Sequence, residues 1–258
     1  MSGFKAKLAE GKTVRIFAIG RIANPVIVEI FGAAGGFDGF WMDQEHGGLT
    51  YEQIQTLALA GRANNFDCIV RMAPSCYSVV TQALEVGAGG VMAARIESVD
   101  HAEQFVQWAK FAPRGSRGLN ASGRDANFTF KTPAQFAEDA NRDTLVAIQI
   151  ETLGALNDVD AIAANDGVDV LFVGPADLSQ ALGILGQFQN QKLWDAYAAV
   201  ADACRKHGKA WGTVCATPEF ADRVTDLGCR MIHLGSDVQS LRRGIEFGKT
   251  AFARQFAL

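Results

Sequence analysis

The sequence predicts a single-domain (β/α)8 TIM barrel over residues 1–258, and three observations predict it. Eight short apolar runs rich in Val, Ile, Phe or Met recur at intervals that suit βα units. Stretches of helical period lie between them, so strand and helix alternate, which implies parallel pairing through right-handed crossovers. A length of 258 residues with 48% hydrophobic content is the usual size of one closed barrel and supports a large core.

The expected strands, in order, are 14–20 (VRIFAIG), 37–43 (FDGFWMD), 67–72 (DCIVRM), 89–94 (GGVMAA), 144–150 (TLVAIQI), 168–173 (VDVLFV), 209–214 (KAWGTV) and 229–234 (CRMIHL). Among the helical stretches are 51–64, 99–110, 191–207 and 217–227, several of them opening at Thr, Ser or Asp as N-caps. The one long interval without a strand, 112–131 (APRGSRGLNASGRDANFTFK), is rich in Gly, Asn and Arg. It reads as too polar for core and as a functional lid or a subunit-contact loop. No linker, repeat or low-complexity segment interrupts the pattern.

Composition removes several function classes. The net charge is −4 and no basic run occurs, so the electrostatic footprint of nucleic-acid or membrane-surface binding is missing. The five cysteines, Cys68, Cys76, Cys204, Cys215 and Cys229, are odd in number and show no C-x-x-C spacing; they read as reduced, in a cytoplasmic protein. The start, MSGFKAKLAEGK, has no apolar signal region, and no apolar run reaches the length of a membrane span. Gly-Lys-Thr occurs at 11–13 and 248–250, but a phosphate-cradling loop needs glycine five residues upstream, where Ala6 and Arg243 stand. G-x-G-x-x-G after a strand and G-x-S-x-G are both absent.

Residues able to do chemistry follow the apolar runs: Asp43 and His46 in FWMDQEHGG, Arg71 in CIVRMAP, Gln149 and Glu151 in VAIQIETLG, and Asp177 in VLFVGPADLS. In a parallel barrel the active site collects at those C-terminal strand ends. Glu151 and Asp177 follow neighbouring strands, and two carboxylates with water suit Mg²⁺ or Mn²⁺. The competing structural roles are a cap or ion pair for Glu151 and capping of a helix starting at Leu178 for Asp177. Gln149 shares the face of Glu151, because side chains alternate along a strand. Arg71 is costly to bury unless it meets an oxyanion or a structural carboxylate. His46, beside Asp43, Gln44 and Glu45, suits proton transfer near neutral pH. His101 and His207 fall on helices, and His233 sits within the last strand as a core residue. No lysine ends a strand, since Lys209 begins one, which disfavours a Schiff base. Metal-assisted enolate chemistry is the leading reading.

The words DQEH, PRGSRG, IQIET and VGPADLS, in this order and at barrel spacing, resemble the HpcH/HpaI family of metal-dependent pyruvate aldolases, in the phosphoenolpyruvate/pyruvate barrel superfamily. The resemblance runs over nearly the whole chain. It implies that Glu151 and Asp177 hold Mg²⁺, Mn²⁺ or Co²⁺, which pyruvate chelates, and that Arg71 stabilises the enolate and aldol oxyanion. It further implies that His46 is the acid/base, that Gln149 lines the pyruvate site, and that backbone of Gly174, Pro175 and Ala176 meets the pyruvate carboxylate. Glu85, in ALEVG, matches an aspartate that pairs with the histidine in relatives. Gln44 stands where relatives have glycine, while Val214 and Phe17 match a leucine and a tryptophan-like position of the acceptor pocket. A homohexamer, a trimer of dimers that swap the last helix, is implied too, with the 112–128 loop reaching a neighbour's site.

The sequence thus reads as a class II aldolase, a carbon–carbon lyase that forms the metal-bound enolate of pyruvate, hydroxypyruvate or a related 2-keto acid and adds it reversibly to an aldehyde. Two rivals remain: an oxaloacetate-type decarboxylase on the same site, and a catalytically silent barrel serving as a ligand-binding subunit. Sequence does not name the aldehyde.

Overall fold

A computed structural model of the chain describes residues 3–257. Eight parallel strands close in sequence order into one barrel: β1 (Val14–Ile19), β2 (Gly39–Asp43), β3 (Asp67–Met72), β4 (Gly90–Ala93), β5 (Leu145–Ile150), β6 (Val170–Val173), β7 (Ala210–Val214) and β8 (Met231–Ser236). All eight apolar runs are strands; the largest displacement is at β8, which begins and ends two residues later than the expected 229–234. The ring shuts where β1 pairs with β8, with a register shift between Ile16 and Ala18.

Helices cover the outside. In order they are α1 (Phe4–Ala9), α2 (Pro25–Ala34), α3 (Tyr51–Ala63), α4 (Tyr77–Glu85), α5 (Val99–Ala109), α6 (Pro133–Asp143), α7 (Leu153–Asn157), α8 (Val159–Ala164), α9 (Pro175–Ala181), α10 (Gln191–His207), α11 (Pro218–Asp226), α12 (Asp237–Ala251) and α13 (Ala253–Phe256). Their starts are written in the sequence. Thr50 and Gln53 form a capping box on α3, and the Asn24, Ser98, Thr132, Thr152 and Thr217 side chains each accept a backbone N–H at the first turn of a helix. None of the described helices is long and apolar enough to cross a membrane.

Strand parity divides the core in two. Val14, Ile16, Ala18, Trp41, Ile69, Met92, Leu145, Ala147, Val170, Phe172 and Met231 pack together inside the ring. The alternate residues pack outward against the helices. This corrects the expectation for Phe17. It lies between inward Ile16 and Ala18, points out of the barrel, is fully buried, and stacks on Phe31 of α2 with ring centroids 3.7 Å apart. It cannot line a substrate pocket at the barrel mouth. Of the expectation for 112–131, the part that held the segment too polar for core needs correction. Arg117 is buried, pairs with Asp125, and lies over the rings of Phe111 and Phe136, which with Ala126 form a small core of their own. The segment is a packed insertion, with Phe128 and Phe130 exposed on it.

At the seam, the buried Asp237 side chain, in the first turn of α12, accepts N–H bonds from Gly20, Arg21 and Ile22 at 3.1, 2.8 and 2.7 Å. Beyond that turn α12 and α13 expose Leu241, Ile245, Phe247, Phe252 and Phe256.

Because Phe17 fills the layer between barrel and helices, Phe17→Ala will cost roughly 3–5 kcal/mol of stability, as truncation of a buried aromatic does. Urea denaturation measures the loss. KM values of the folded variant will stay near wild type, which a pocket-lining residue would not allow.

Candidate active site

The C-terminal ends of the strands surround a cavity of about 470 Å³. Arg71, Gln149, Gly174 and Asp177 supply its polar part, from β3, β5 and the β6–α9 junction. Trp41, Pro175, Ala176, Val214, Phe188 and Phe220 supply most of the rest. Parity explains the convergence: Arg71, Gln149 and Val214 occupy inward positions at the tops of their strands, and Trp41 the inward position one layer below Asp43 in β2.

Arg71 is held in place. Its Nη2 and Nε donate to the two oxygens of Asp43 at 2.6 and 3.2 Å, Nη1 lies 3.4 Å from Glu45 Oε2, and its guanidinium sits 5.1 Å from the Trp41 ring centroid. The salt-bridge role considered for Arg71 is therefore real, and coexists with a place on the cavity wall. Asp43 Oδ1 also accepts the N–H groups of Glu45 and His46, which fixes the turn after β2.

Glu151 follows β5 and is 2% exposed. Its Oε1 accepts the Arg95 N–H at 2.7 Å, a donor aimed by the left-handed conformation of Arg95 (φ 57°). Thr152, not Glu151, caps α7. Burial pushes the Glu151 carboxyl up to about 7; the charges of Glu45 and Asp177 add to the rise, while the Arg95 hydrogen bond and Arg71 oppose it. Gly174 makes room for this carboxylate: a Cβ there would lie 2.5 Å from Glu151 Oε2 and 2.7 Å from Gln149 Nε2. Asp177 stands in the first turn of α9, a helix that begins at Pro175 rather than at Leu178.

Among the described residues, no group of three or more His, Cys, Asp or Glu is arranged as a metal site. Two carboxylates at adjacent strand ends, one of them buried and resisting ionisation beside further acids, nevertheless match a hard divalent cation whose other positions are filled by water and substrate oxygens. The residues fit the group.

His46 lies on the rim with its side chain 63% exposed, Nε2 3.7 Å from Glu45 Oε2. Glu85 is not beside it. It ends α4, which runs down from the top of β3 for nine residues, about 13 Å, so Glu85 stands at the opposite end of the barrel, where Asn120 donates to it. The expected His46–Glu85 pair is not formed within one chain. Of the site residues read from the sequence, Arg71, Gln149, Gly174, Pro175, Ala176, Asp177 and Val214 line one cavity, and Glu151 lies against Gly174. Phe17 and Glu85 are elsewhere.

Three contributors were missed. Trp41 reads as an ordinary core tryptophan, Glu45 as a mere neighbour of His46, and Arg95 acts through its backbone, which no side-chain pattern reveals. His233, a core residue as expected, stacks on Trp41 at 4.6 Å, and both its ring nitrogens lack partners. Burial, aided by the charge of Arg71, pushes its pKa down to about 4, so it is neutral at physiological pH.

Comparison with known proteins places the chain in a family. Residues 17–244 match the family model described as HpcH/HpaI aldolase/citrate lyase. The chain is 33% identical over 241 residues to the 5-keto-4-deoxy-D-glucarate aldolase of Shigella boydii, covering 93% of this chain and 91% of that protein. The Escherichia coli protein of the same name is also 33% identical, with 93% and 92% covered. A crystal structure of an HpcH/HpaI aldolase from Desulfitobacterium hafniense superposes with a TM-score of 0.91 at 30% identity, covering 97% of this chain and 96% of that one.

A carboxyl whose pKa is raised on folding penalises the native state once it ionises. The penalty is absent below the unfolded value of 4.5, grows as pH rises to about 7, and stays constant above. In EDTA, Glu151→Gln will therefore match wild-type stability near pH 4 and exceed it at pH 8 by up to about 3 kcal/mol. Denaturant titrations across that range read the difference. A gap that does not change with pH would mean that Glu151 is ionised without penalty.

Proposed function

This chain belongs to the HpcH/HpaI aldolase/citrate lyase family and is an aldolase, and on that premise we propose that it deprotonates pyruvate, or a related 2-keto acid such as hydroxypyruvate, and adds the enolate reversibly to an aldehyde. The observation that supports this reading is the meeting of Arg71, Gln149, Glu151 and Asp177 around one cavity. The relatives' shared name, 5-keto-4-deoxy-D-glucarate aldolase, places keto acids among the substrates to test.

Glu151 and Asp177 would hold a divalent cation, Mg²⁺, Mn²⁺ or Co²⁺, which supplies Lewis acidity to the keto oxygen of the substrate. The protein's own groups do the rest. Gln149 Nε2 and the free N–H groups in the first turn of α9 orient the 2-keto acid carboxylate. A base removes one C3 proton, and His46 on the rim, next to Glu45, is the group we assign to it. The enolate carbon attacks the aldehyde carbon, and the carbonyl electron pair becomes an alkoxide that takes a proton from the acid. Arg71 bears the oxyanion: Asp43 engages Nε and one N–H of Nη2, which leaves the remaining N–H groups for substrate.

Glu85 enters this reading only as a residue supplied by another copy of the chain. The apolar residues exposed on α12 and α13 suit the surface of such an assembly, a hexamer of the kind the resemblance implies.

Turnover of pyruvate or hydroxypyruvate with a panel of aldehydes will stop in EDTA and return with Mg²⁺, Mn²⁺ or Co²⁺. Full activity without metal refutes the assignment of Glu151 and Asp177. Arg71→Lys will lose roughly 10²-fold or more in kcat, nearly as much as Arg71→Ala, because a point charge cannot replace a forked donor. A lysine variant within a few-fold of wild type makes Arg71 purely structural. Borohydride with pyruvate will leave the enzyme active, and a trapped lysine adduct would overturn the reading.

A further inference from the structure

The wall of the cavity beyond the polar cluster is what distinguishes one acceptor from another. It is built by Trp41, Val214, Phe188 and Phe220, with Ala216 and Pro175 between them. The charged side chains that line the cavity are Arg71 and Asp177. Arg71 is engaged by Asp43 and Glu45, and the proposed function assigns its free N–H groups to the enolate and alkoxide. Asp177 repels anions. The nearest other polar liners, Gln189 and Thr217, are neutral.

Among the described residues of the chain, no other cationic side chain lines the cavity. Arg21 and Arg95 follow β1 and β4, are exposed, and do not line the cavity. In the 112–131 insertion, Arg114 is paired with Glu103 and Asp166, Arg117 with Asp125, and Arg124 lies over Phe128. A carboxylate on the far end of an aldehyde would lose its hydration against aromatic and aliphatic carbon with no cation in return, only the neutral donors of Gln189 and Thr217. An alkyl or aryl tail would instead cover that surface and gain from leaving water. Phe188, 41% exposed at the cavity, is surface of that kind.

We propose that the acceptor of this aldolase is a neutral aldehyde with an apolar aliphatic or aromatic tail, selected by Phe188 and Phe220. The inference rests on the aldolase reading above and narrows its substrate class. In the forward step C3 of the 2-keto acid, having lost a proton to the base, bonds to the aldehyde carbon. The carbonyl pair moves to oxygen and is protonated, so the product is a 4-hydroxy-2-keto acid with an apolar chain. In reverse the hydroxyl proton leaves, the C3–C4 bond breaks, and C3 regains a proton.

The test compares pentanal with succinic semialdehyde, which has nearly the same size but ends in a carboxylate, using Mn²⁺-loaded enzyme and pyruvate. Wild type will show a kcat/KM for pentanal about tenfold or more above that for succinic semialdehyde. Phe188→Arg, on an exposed loop, will move the ratio toward the semialdehyde by about tenfold, chiefly through KM. Equal or better use of succinic semialdehyde by wild type overturns the inference, and so does a ratio that Phe188→Arg leaves unmoved. Exchange of the pyruvate methyl protons with D₂O, followed by NMR without any aldehyde, separates the two failures. Exchange together with anion preference sinks only the acceptor assignment. No exchange and no product with either aldehyde sinks the aldolase reading and this inference with it.

Discussion

Four carboxylates and one guanidinium share the mouth of this barrel, and much of the site's construction answers to that imbalance. Asp43 and Glu45 both reach Arg71, while among the described residues no cationic side chain is bonded to Glu151 or Asp177. Glu151 is stabilised instead by a single backbone N–H, which requires Arg95 to adopt a conformation that few side-chain-bearing residues take. A side chain at Gly174 would displace the Glu151 carboxylate and the Gln149 amide from their places. Left as it is, the cluster holds more negative charge than it can neutralise, and a buried acid that resists ionisation is the measurable sign of this. Natural sites store such strain where a cation or a reaction makes use of it.

The barrel turns this local problem into a shared one. In a closed parallel ring every second residue of every strand faces the same interior, so charged groups separated by more than a hundred positions in the chain become neighbours without any long-range specification beyond register. Below them the interior is filled by Ile16, Ile69, Met92, Phe172 and Met231, which exclude water from underneath. The neutral His233, stacked on Trp41, continues this floor up to Arg71.

The same parity decides what could be read from the sequence. Strands covered on both faces are continuous apolar runs, so each was visible. A charged residue at the end of such a run can only be at the mouth, and Arg71 and Glu151 stand out for that reason, as does Asp177 a short turn after its own run. Phe17 failed although a clue was present: Arg15, exposed and paired with Asp38, shares its parity and marks the outward face of β1, a signal outweighed by the apolar residues on both sides of it. Glu85 failed because its place at the foot of α4 depends on the direction in which the helix runs back. Trp41 was hidden by being hydrophobic, and Arg95 by acting through its backbone. The 112–131 insertion looked too polar for core, yet its Arg117 is buried over the rings of Phe111 and Phe136, which pack edge to face beneath the guanidinium.

The Asp237 carboxylate ties the turn after the first strand to the start of the last long helix. Residues separated by 217 positions therefore meet only after all eight strands have been made. During synthesis on the ribosome, β1 would wait with one edge unpaired while the other seven strands emerge, and that edge is open to association with other chains throughout. The carboxylate acts as a latch whose closing marks the end of assembly.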